Sequence, residues 1–514
     1  MTSANKVMAN TAILYIRMAI TIGISFYSTR LILASVGAVD FGIFSLLMSV
    51  TVMMTFLNSA MSISTQHFFS FYQGTHDLSK QTQVFANSLL LHLAIGILVV
   101  SGLSILEPIL LNDLLSLPVG RIDAAISIYH YLLISIFFSV ISVPFMALLN
   151  AHEEMFWRAV VNAVEVILKL GVALILLSVT GDKLVIYGAL LACISVFSFL
   201  LYVVYCFQRY PECTVNPKNI STPLLKEIAS FIGWNSFGTF CLLSRTQGLA
   251  VVFNMFFGPV VNTSYGISNQ VSNQLLFFSN TMLKALNPQI VKSEGAGNRD
   301  RMLRIALMGS KYAFFLFALF SIPFLFEARA IISFWLKIVP ENAVLFCQFV
   351  IVASLLKQLT LGLPSAILAT GHVRFYQLVI GTLWLLNLPA AYLFFSLGFG
   401  LSSVMLFYVC IEFLTCIARI WIAKKVLSLS IDTFVSKVLL KAIIPTLICT
   451  LSCFMIVSLL DFPGRFLVTS VISGCIFIVT VYFIGTEPDE RLIMKQAFFG
   501  LRQNYLNFLF AKKK

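Results

Sequence analysis

Charge is what this chain has least of: 11% of its 514 residues are charged, against 59% hydrophobic. Soluble domains carry about 25% charged and about 45–50% apolar residues. So little charge cannot cover a water-exposed surface at this length, which excludes a soluble globular protein and leaves a polytopic membrane protein. Acidic residues are the scarcer sign, 21 against 34 Lys and Arg, for a formal net charge of +13. That excess does not point to nucleic acid. The cations stand singly or in small groups between apolar runs, with no basic domain or aromatic-interleaved groove to follow a phosphate backbone. Loops lying against an anionic cytoplasmic leaflet account for them.

Other absences narrow the chemistry. The ten cysteines, Cys193, Cys241, Cys410 and Cys475 among them, are scattered through apolar runs without a CxxC pair or metal-ligand spacing. They read as small buried hydrophobes, and no metal or cofactor is expected. No nucleophile elbow or Gly-rich phosphate loop occurs, and His92, His152 and His372 are isolated, so no catalytic residue is assigned and the chain is not read as an enzyme. A membrane glycosyltransferase or polymerase would carry a sizeable extramembrane loop with carboxylates, and the loops here are short. The opening MTSANKVMAN lacks the basic n-region and cleavage site of a removable signal peptide, so the first apolar run is expected to stay as a helix.

What the sequence does have is a succession of apolar runs of about 20 residues, each able to cross about 30 Å of hydrocarbon. They are predicted near 11–33, 41–65, 83–106, 123–150, 158–180, 184–207, 228–256, 262–287, 305–327, 343–370, 375–397, 401–423, 437–460 and 464–485, fourteen in all. With the N-terminus placed inside, the inner segments collect Lys80, Arg158, Arg209, Lys218, Arg299, Arg301, Arg304, Arg374, Lys424, Lys425 and the closing Lys512, Lys513 and Lys514. The outer loops keep only Arg121, Lys183, Arg329, Lys337 and Arg465. By the positive-inside rule both termini are cytoplasmic.

An internal repeat organises these spans. PFMALLNAHEEMFWRAVV from Pro144 aligns with PSAILATGHVRFYQLVIG from Pro364 at an offset of 220, which also carries Glu107 onto Glu327. SVGAVDFGIF (35–44) echoes FFGPVVNTSYGI (256–267) with a three-residue insertion. The expected fold is all-α, with two pseudo-symmetric six-helix lobes at 1–207 and 228–425. A cytoplasmic linker at 208–227 joins them, followed by two further helices within 426–485 and a basic tail at 486–514. Two even-numbered halves insert with the same orientation, related by an axis along the membrane normal, with a site between them near the midplane.

A charge at the bilayer centre costs roughly 2.5–3.5 kcal/mol on insertion scales, so each needs a partner, a hydrated cavity or a route to the interface. Lys284 and Arg30 lie near helix ends, where a long stem can snorkel, and Arg17 lies a turn or two above the cytoplasmic face. Glu165 and Lys169 are spaced i, i+4 and can neutralise each other; Glu412 and Arg419, seven apart, also share a face. Arg245 and Lys357 differ, being mid-span with no acidic residue within four positions. Polar residues crowd around Arg245, including Asn235, Thr239, Gln247 and Asn254, and the next span supplies Asn262, Asn269, Gln270, Asn273 and Gln274. Lipid-facing surfaces do not tolerate so many amides. Together they suggest a hydrated cavity with a cationic wall, suited to phosphate through the forked arginine donors and to sugar hydroxyls through the amides.

The residues also carry a resemblance. NTAILYIRMAITIGISFYSTRLILASVGAVDFGIFSLL (10–47) resembles the opening of bacterial polysaccharide-transporter proteins of the multidrug/oligosaccharidyl-lipid/polysaccharide (MOP) exporter superfamily. FIGWNSFGT (231–239), NMFFGPVVNTSYGISNQV (254–271) and LNPQIVKSEGAGNRDRM (286–302) are similar to the same oligosaccharide flippases. The resemblance implies a flippase of the bacterial inner membrane, moving undecaprenyl-diphosphate-linked repeat units of O-antigen, capsule or exopolysaccharide type to the periplasmic leaflet by alternating access. A polysaccharide polymerase and a chain-length regulator would be further partners. Related lipid II flippases carry first-helix arginines lining a cationic cavity; Arg17 and Arg30 match by location only, and the lipid II spacing is not reproduced. The expected substrate contacts are Arg245 and Lys357, then Arg17, then Arg30 and Lys284, with Asn235, Gln247 and Asn269 as polar contacts. Glu165 and Glu412 are candidates for proton or sodium coupling. The rival readings are a cation-coupled multidrug antiporter of the same superfamily, which would want cavity carboxylates, and a non-transporting scaffold of a polysaccharide assembly complex.

Overall fold

The computed structural model of the protein describes residues 34–114, 119–336 and 339–491, together with Ile24, Tyr27, Ser28, Leu31 and Ile32. Among these the regular structure is entirely helical. Among the described residues ten helices are long and apolar enough to cross a membrane, and eleven if one bent pair counts as a single span. This agrees with about fourteen. Most of the first predicted span lies outside the described residues, the second falls inside a longer helix, and 262–287 is the limb of a long helix beyond its break at Gly258.

The chain forms two compact units. Of the described residues, the first holds those up to Thr239 and the short stretch Val291–Gly297; the second holds Phe240–Ile290 and those from Asn298 on. In the first unit run α1 (Ala38–Gly74), α2 (Leu78–Pro108), α3 (Ile122–Ile141), α4 (Val143–Ala151), α5 (Met155–Ser178) and α6 (Lys183–Arg209). Helix α3 packs against α2 and α6, and α1 against α4. At one end of this unit Arg121 binds two carboxylates. Its Nε donates to Asp40 at 2.7 Å and its Nη1 to Asp182 at 2.7 Å. Burial works to raise the Asp182 carboxyl, but the Arg121 hydrogen bond and the amides of the α6 N-terminus hold it below the usual carboxylate range. At the other end the segment after α6 is tied down by Glu212, which accepts from His152 at 2.5 Å. Asn87 ties the same segment further along, accepting from the Ser221 amide at 3.2 Å.

Helix α7 (Thr222–Gly295) passes through the unit boundary and is broken once, at Gly258, where φ is 77° and ψ is −173°. Gly37, at the start of α1, has φ 88° and ψ 164°. Only glycine adopts this backbone region readily. The two glycines are the repeat-related pair of SVGAVDFGIF and FFGPVVNTSYGI, so the duplication extends to a backbone conformation. No atom lies within 4 Å of a Cβ built at either one, so strain alone opposes substitution. Gly258→Ala should lower stability by about 1–3 kcal/mol, read as a fall in the detergent-solubilised unfolding midpoint. Pairing it with Gly37→Ala should give an additive loss.

After α7 come α8 (Arg299–Leu336), α9 (Ala343–Leu359), α10 (Leu363–Ala369), α11 (Val373–Leu385), α12 (Asn387–Ser396) and α13 (Leu401–Leu427). The short α14 (Ile431–Phe434), α15 (Leu440–Leu459) and α16 (Arg465–Thr480) follow. The Pro144/Pro364 repeat appears as two identical breaks. Helices α4 and α10 are short, each has proline in its first turn, and each is followed after a brief turn by a longer helix, α5 or α11. Proline suits that position because the first helical amides lack intrahelical partners anyway. Glu107 and Glu327 take different partners: Glu107 meets His130 at 2.9 Å, whereas the more deeply buried Glu327 accepts from Arg465, outside the repeat, at 2.8 Å. Helices α15 and α16 pack on α8 around Phe314, Phe315, Cys449, Cys453 and Phe477. Just beyond α16, Glu490 returns to α8, accepting from Lys311 Nζ at 2.8 and 2.6 Å, with both side chains buried.

Candidate functional site

The second unit contains a cavity of about 670 Å³. Its walls are the two limbs of α7 on either side of Gly258, the inner face of α9 and one stripe of α13. Helical spacing decides what faces it. On α9, Val350, Ala353, Ser354 and Lys357 recur at three- and four-residue intervals, and on α13 Tyr408 and Glu412 are four apart, so each set shares a face. The limb after Gly258 contributes Asn262, Tyr265, Asn269, Gln270 and Asn273, and the limb before it Arg245, Thr246 and Gln247. Beneath lies an apolar core in which the Phe253 ring meets Tyr265 at 5.0 Å and Phe346 at 5.1 Å.

Arg245 is 4% exposed. Its Nη1 donates to Glu412 Oε2 at 2.6 Å, and its guanidinium carbon sits 4.7 Å from the Tyr408 ring centre and 5.5 Å from that of Trp384. The counter-ion that no local sequence offered is therefore 167 positions away. Glu412 had been matched with Arg419 by spacing; that contact exists at 3.8 Å but is the longer of the two. Arg419 instead donates to Thr360 Oγ1 at 3.1 Å and lies 5.8 Å from the same Trp384 ring. Trp384 thus serves two buried guanidiniums, an arrangement worth up to about 2 kcal/mol each where water is excluded. Lys357 lines the cavity half-buried, and among the described residues its ammonium has no hydrogen bond or ion pair. Three cations surround one carboxylate, so the group carries two net positive charges. Several polar atoms remain without partners among the described residues, including Arg245 Nε, Arg419 Nε, Tyr265 OH and Glu412 Oε1. Arg245 and Lys357 against Glu412 leave the lining with a net positive charge, a chemistry that favours acceptor-rich, negatively charged groups.

Of the expected contacts, the structure brings Arg245, Lys357, Gln247 and Asn269 to one cavity, with Glu412 among them. Asn235 is elsewhere: it is buried in the first unit, donating to Ser64 Oγ at 2.9 Å. Lys284 does not line the cavity. Glu165 makes the anticipated i, i+4 pair with Lys169 at 2.7 Å, on a partly exposed face of the first unit. Arg17 and Arg30 lie outside the described residues. Tyr265, Tyr408 and Trp384 went unassigned because aromatic residues at helical spacing read as ordinary core.

No family model matches the sequence, and no curated protein does. Solved structures do match in fold. An outward-facing multidrug resistance MATE family transporter of the MOP superfamily superposes with TM-score 0.71 at 14% identity, covering 83% of this chain and 97% of its own. MATE in the bent conformation gives TM-score 0.71 at 15% identity over 83% and 98%. A MOP superfamily transporter from Pyrococcus furiosus, described as having a binding pocket of reverse polarity that suggests a different function, gives 0.68 at 15% over 84% and 99%. The chain has the fold of these MOP superfamily transporters.

Proposed function

We propose that this protein is a flippase that carries undecaprenyl-diphosphate-linked oligosaccharide repeat units, of O-antigen, capsule or exopolysaccharide type, from the cytoplasmic to the periplasmic leaflet of a bacterial inner membrane. The observation that carries this reading is the charge of the cavity wall: the cations Arg245 and Lys357 against the single carboxylate of Glu412, beside a face of amides, with Arg419 buried behind Glu412. In a water-poor site such a wall attracts a diphosphate and repels a cationic drug. Lys357 supplies a charge without an internal competitor, Arg245 supplies forked donors, and Gln247, Asn262, Asn269 and Gln270 offer both donors and acceptors to sugar hydroxyls. Alternating access of the two halves would deliver the headgroup across while the polyprenyl tail trails in lipid. Pocket polarity also differs within the fold, as the description of the Pyrococcus furiosus transporter indicates.

A multidrug antiporter is the second reading, favoured by the likeness to MATE structures. Reconstituted vesicles separate the two. A fluorescent polyprenyl-diphosphate oligosaccharide should move between leaflets faster than in protein-free vesicles, and Lys357→Gln should weaken its apparent affinity about tenfold, the loss of one charge-assisted contact of roughly 1.5 kcal/mol. Ethidium transport driven by a pH gradient, with no lipid movement, would establish the antiporter instead. Neither activity would favour a scaffold of the assembly complex.

A further inference from the structure

The ends of α1 and α7 meet backbone to backbone, through partners that the repeat makes equivalent. A Cβ on Gly74 would stand 2.2 Å from the Lys292 carbonyl oxygen, and a Cβ on Gly295 would stand 2.1 Å from that of Phe71. Gly74 and Gly295 are 221 positions apart, and so are Phe71 and Lys292. Each helix therefore offers its own glycine to the carbonyl that is the repeat counterpart of the one its own glycine's partner receives. No residue but glycine fits at either place, since real side chains do not approach a carbonyl that closely. One ion pair closes the contact from the side: Lys292 Nζ lies 3.3 Å from Glu153, which sits in the turn after α4 with a left-handed φ of 61°.

A second observation sets this contact apart from permanent packing. Along α1 toward Gly74, Thr65 Oγ1, His67 Nδ1, Ser70 Oγ and both amide atoms of Gln73 are buried without a partner among the described residues. A helix face that stays in a core satisfies such groups, because a buried polar atom without a hydrogen bond forfeits the water it gave up. A face that is wetted in an alternate conformation has reason to keep them.

We propose that Gly74 and Gly295 form a reversible clasp, the closed state of the gate on the side that loop charge assigns to the cytoplasm, with Lys292–Glu153 as its latch. The inference rests on the transporter reading, since a scaffold needs no gate. Glycine is required because the closed state depends on carbonyl contact, which a methyl group on either helix would hold apart. The paired geometry means that either helix alone can prop the gate open.

The test reads accessibility and needs no substrate. Ser70→Cys is placed in the full-length chain, and its labelling by a membrane-impermeant maleimide is measured in inside-out vesicles, as the increment over the parent with its ten native cysteines. An open form populated at about 0.1–10% gives slow labelling. Adding Gly74→Ala, or separately Gly295→Ala, should raise the rate about tenfold or more as the minor state becomes a major one. Gly102→Ala, where no atom lies within 4 Å of the added methyl, should leave it unchanged. Should either glycine variant fail to elute as a monodisperse species, Glu153→Gln loosens the latch without touching the packing, and is expected to raise labelling severalfold. Folded variants that all label at the parent rate would overturn the clasp and make the contact a fixed joint. Raised labelling without any lipid movement would retain the clasp and remove the flippase reading alone.

Discussion

Arg245→Ala should abolish substrate movement and also destabilise the protein by about 2–3 kcal/mol, because it takes the 2.6 Å partner from Glu412, 1% exposed, and leaves it only the 3.8 Å contact with Arg419. Removing one member of a buried pair exposes the full desolvation penalty of the other, whereas removing both leaves little charge to solvate. The double variant Arg245→Ala, Glu412→Ala also takes the carboxylate from buried Arg419, so it should recover only part of the lost stability in a detergent melt and still move no lipid-linked oligosaccharide. Arg245→Lys should keep stability closer to the parent while losing affinity, since a single ammonium cannot reproduce the guanidinium fork or its contacts with Tyr408 and Trp384. If Arg245→Ala melts like the parent and transports normally, neither the ion pair nor the cationic wall has the role given to it.

The second large effect lies far from the cavity. Lys311 and Glu490 are 2% and 4% exposed, and Glu490 also accepts from Tyr312 OH at 3.1 Å and from the Glu487 amide at 2.9 Å. Lys311→Ala leaves a buried carboxylate that has lost its counter-charge, for an expected cost of about 3–5 kcal/mol. Glu490→Gln keeps the shape and should cost less, since a neutral amide remains able to accept from Lys311. Limited proteolysis gives the local readout: Lys311→Ala should expose the 486–491 segment to cleavage ahead of global unfolding, because that pair holds it on α8. Equal protease resistance in variant and parent would show that α15 and α16 fix the segment without it.

The parts of this molecule that were legible in the sequence are those written into short stretches of it. Hydrocarbon-length apolar runs gave the spans, and the Pro144 and Pro364 stretches gave the duplication, which the structure repeats down to the matching short helices α4 and α10. Arg245 and Lys357 stood out because each lacked a local neutralising partner, and both line the cavity. What stayed hidden is long-range. Glu412 is one turn from Tyr408 and far from Arg245 in the chain, so only packing reveals which guanidinium it binds more closely. Lys311 and Glu490 are 179 positions apart, one inside an apolar span and the other in a polar stretch after the last one. Asn235 shows the opposite error. It shares a segment with Arg245, but nearly three helical turns separate them, and its amide reaches Ser64 on α1 instead.

The Arg245–Glu412 pair also bears on what happens when no substrate is present. A bare cluster of three cations would be a stepping stone for chloride and other small inorganic anions. With the carboxylate seated, the idle wall carries less field, and a singly charged ion gains too little there to displace Glu412. A large multivalent headgroup can compete for the same guanidinium with several oxygens at once. The internal carboxylate thus lowers the positive potential that the empty cavity presents.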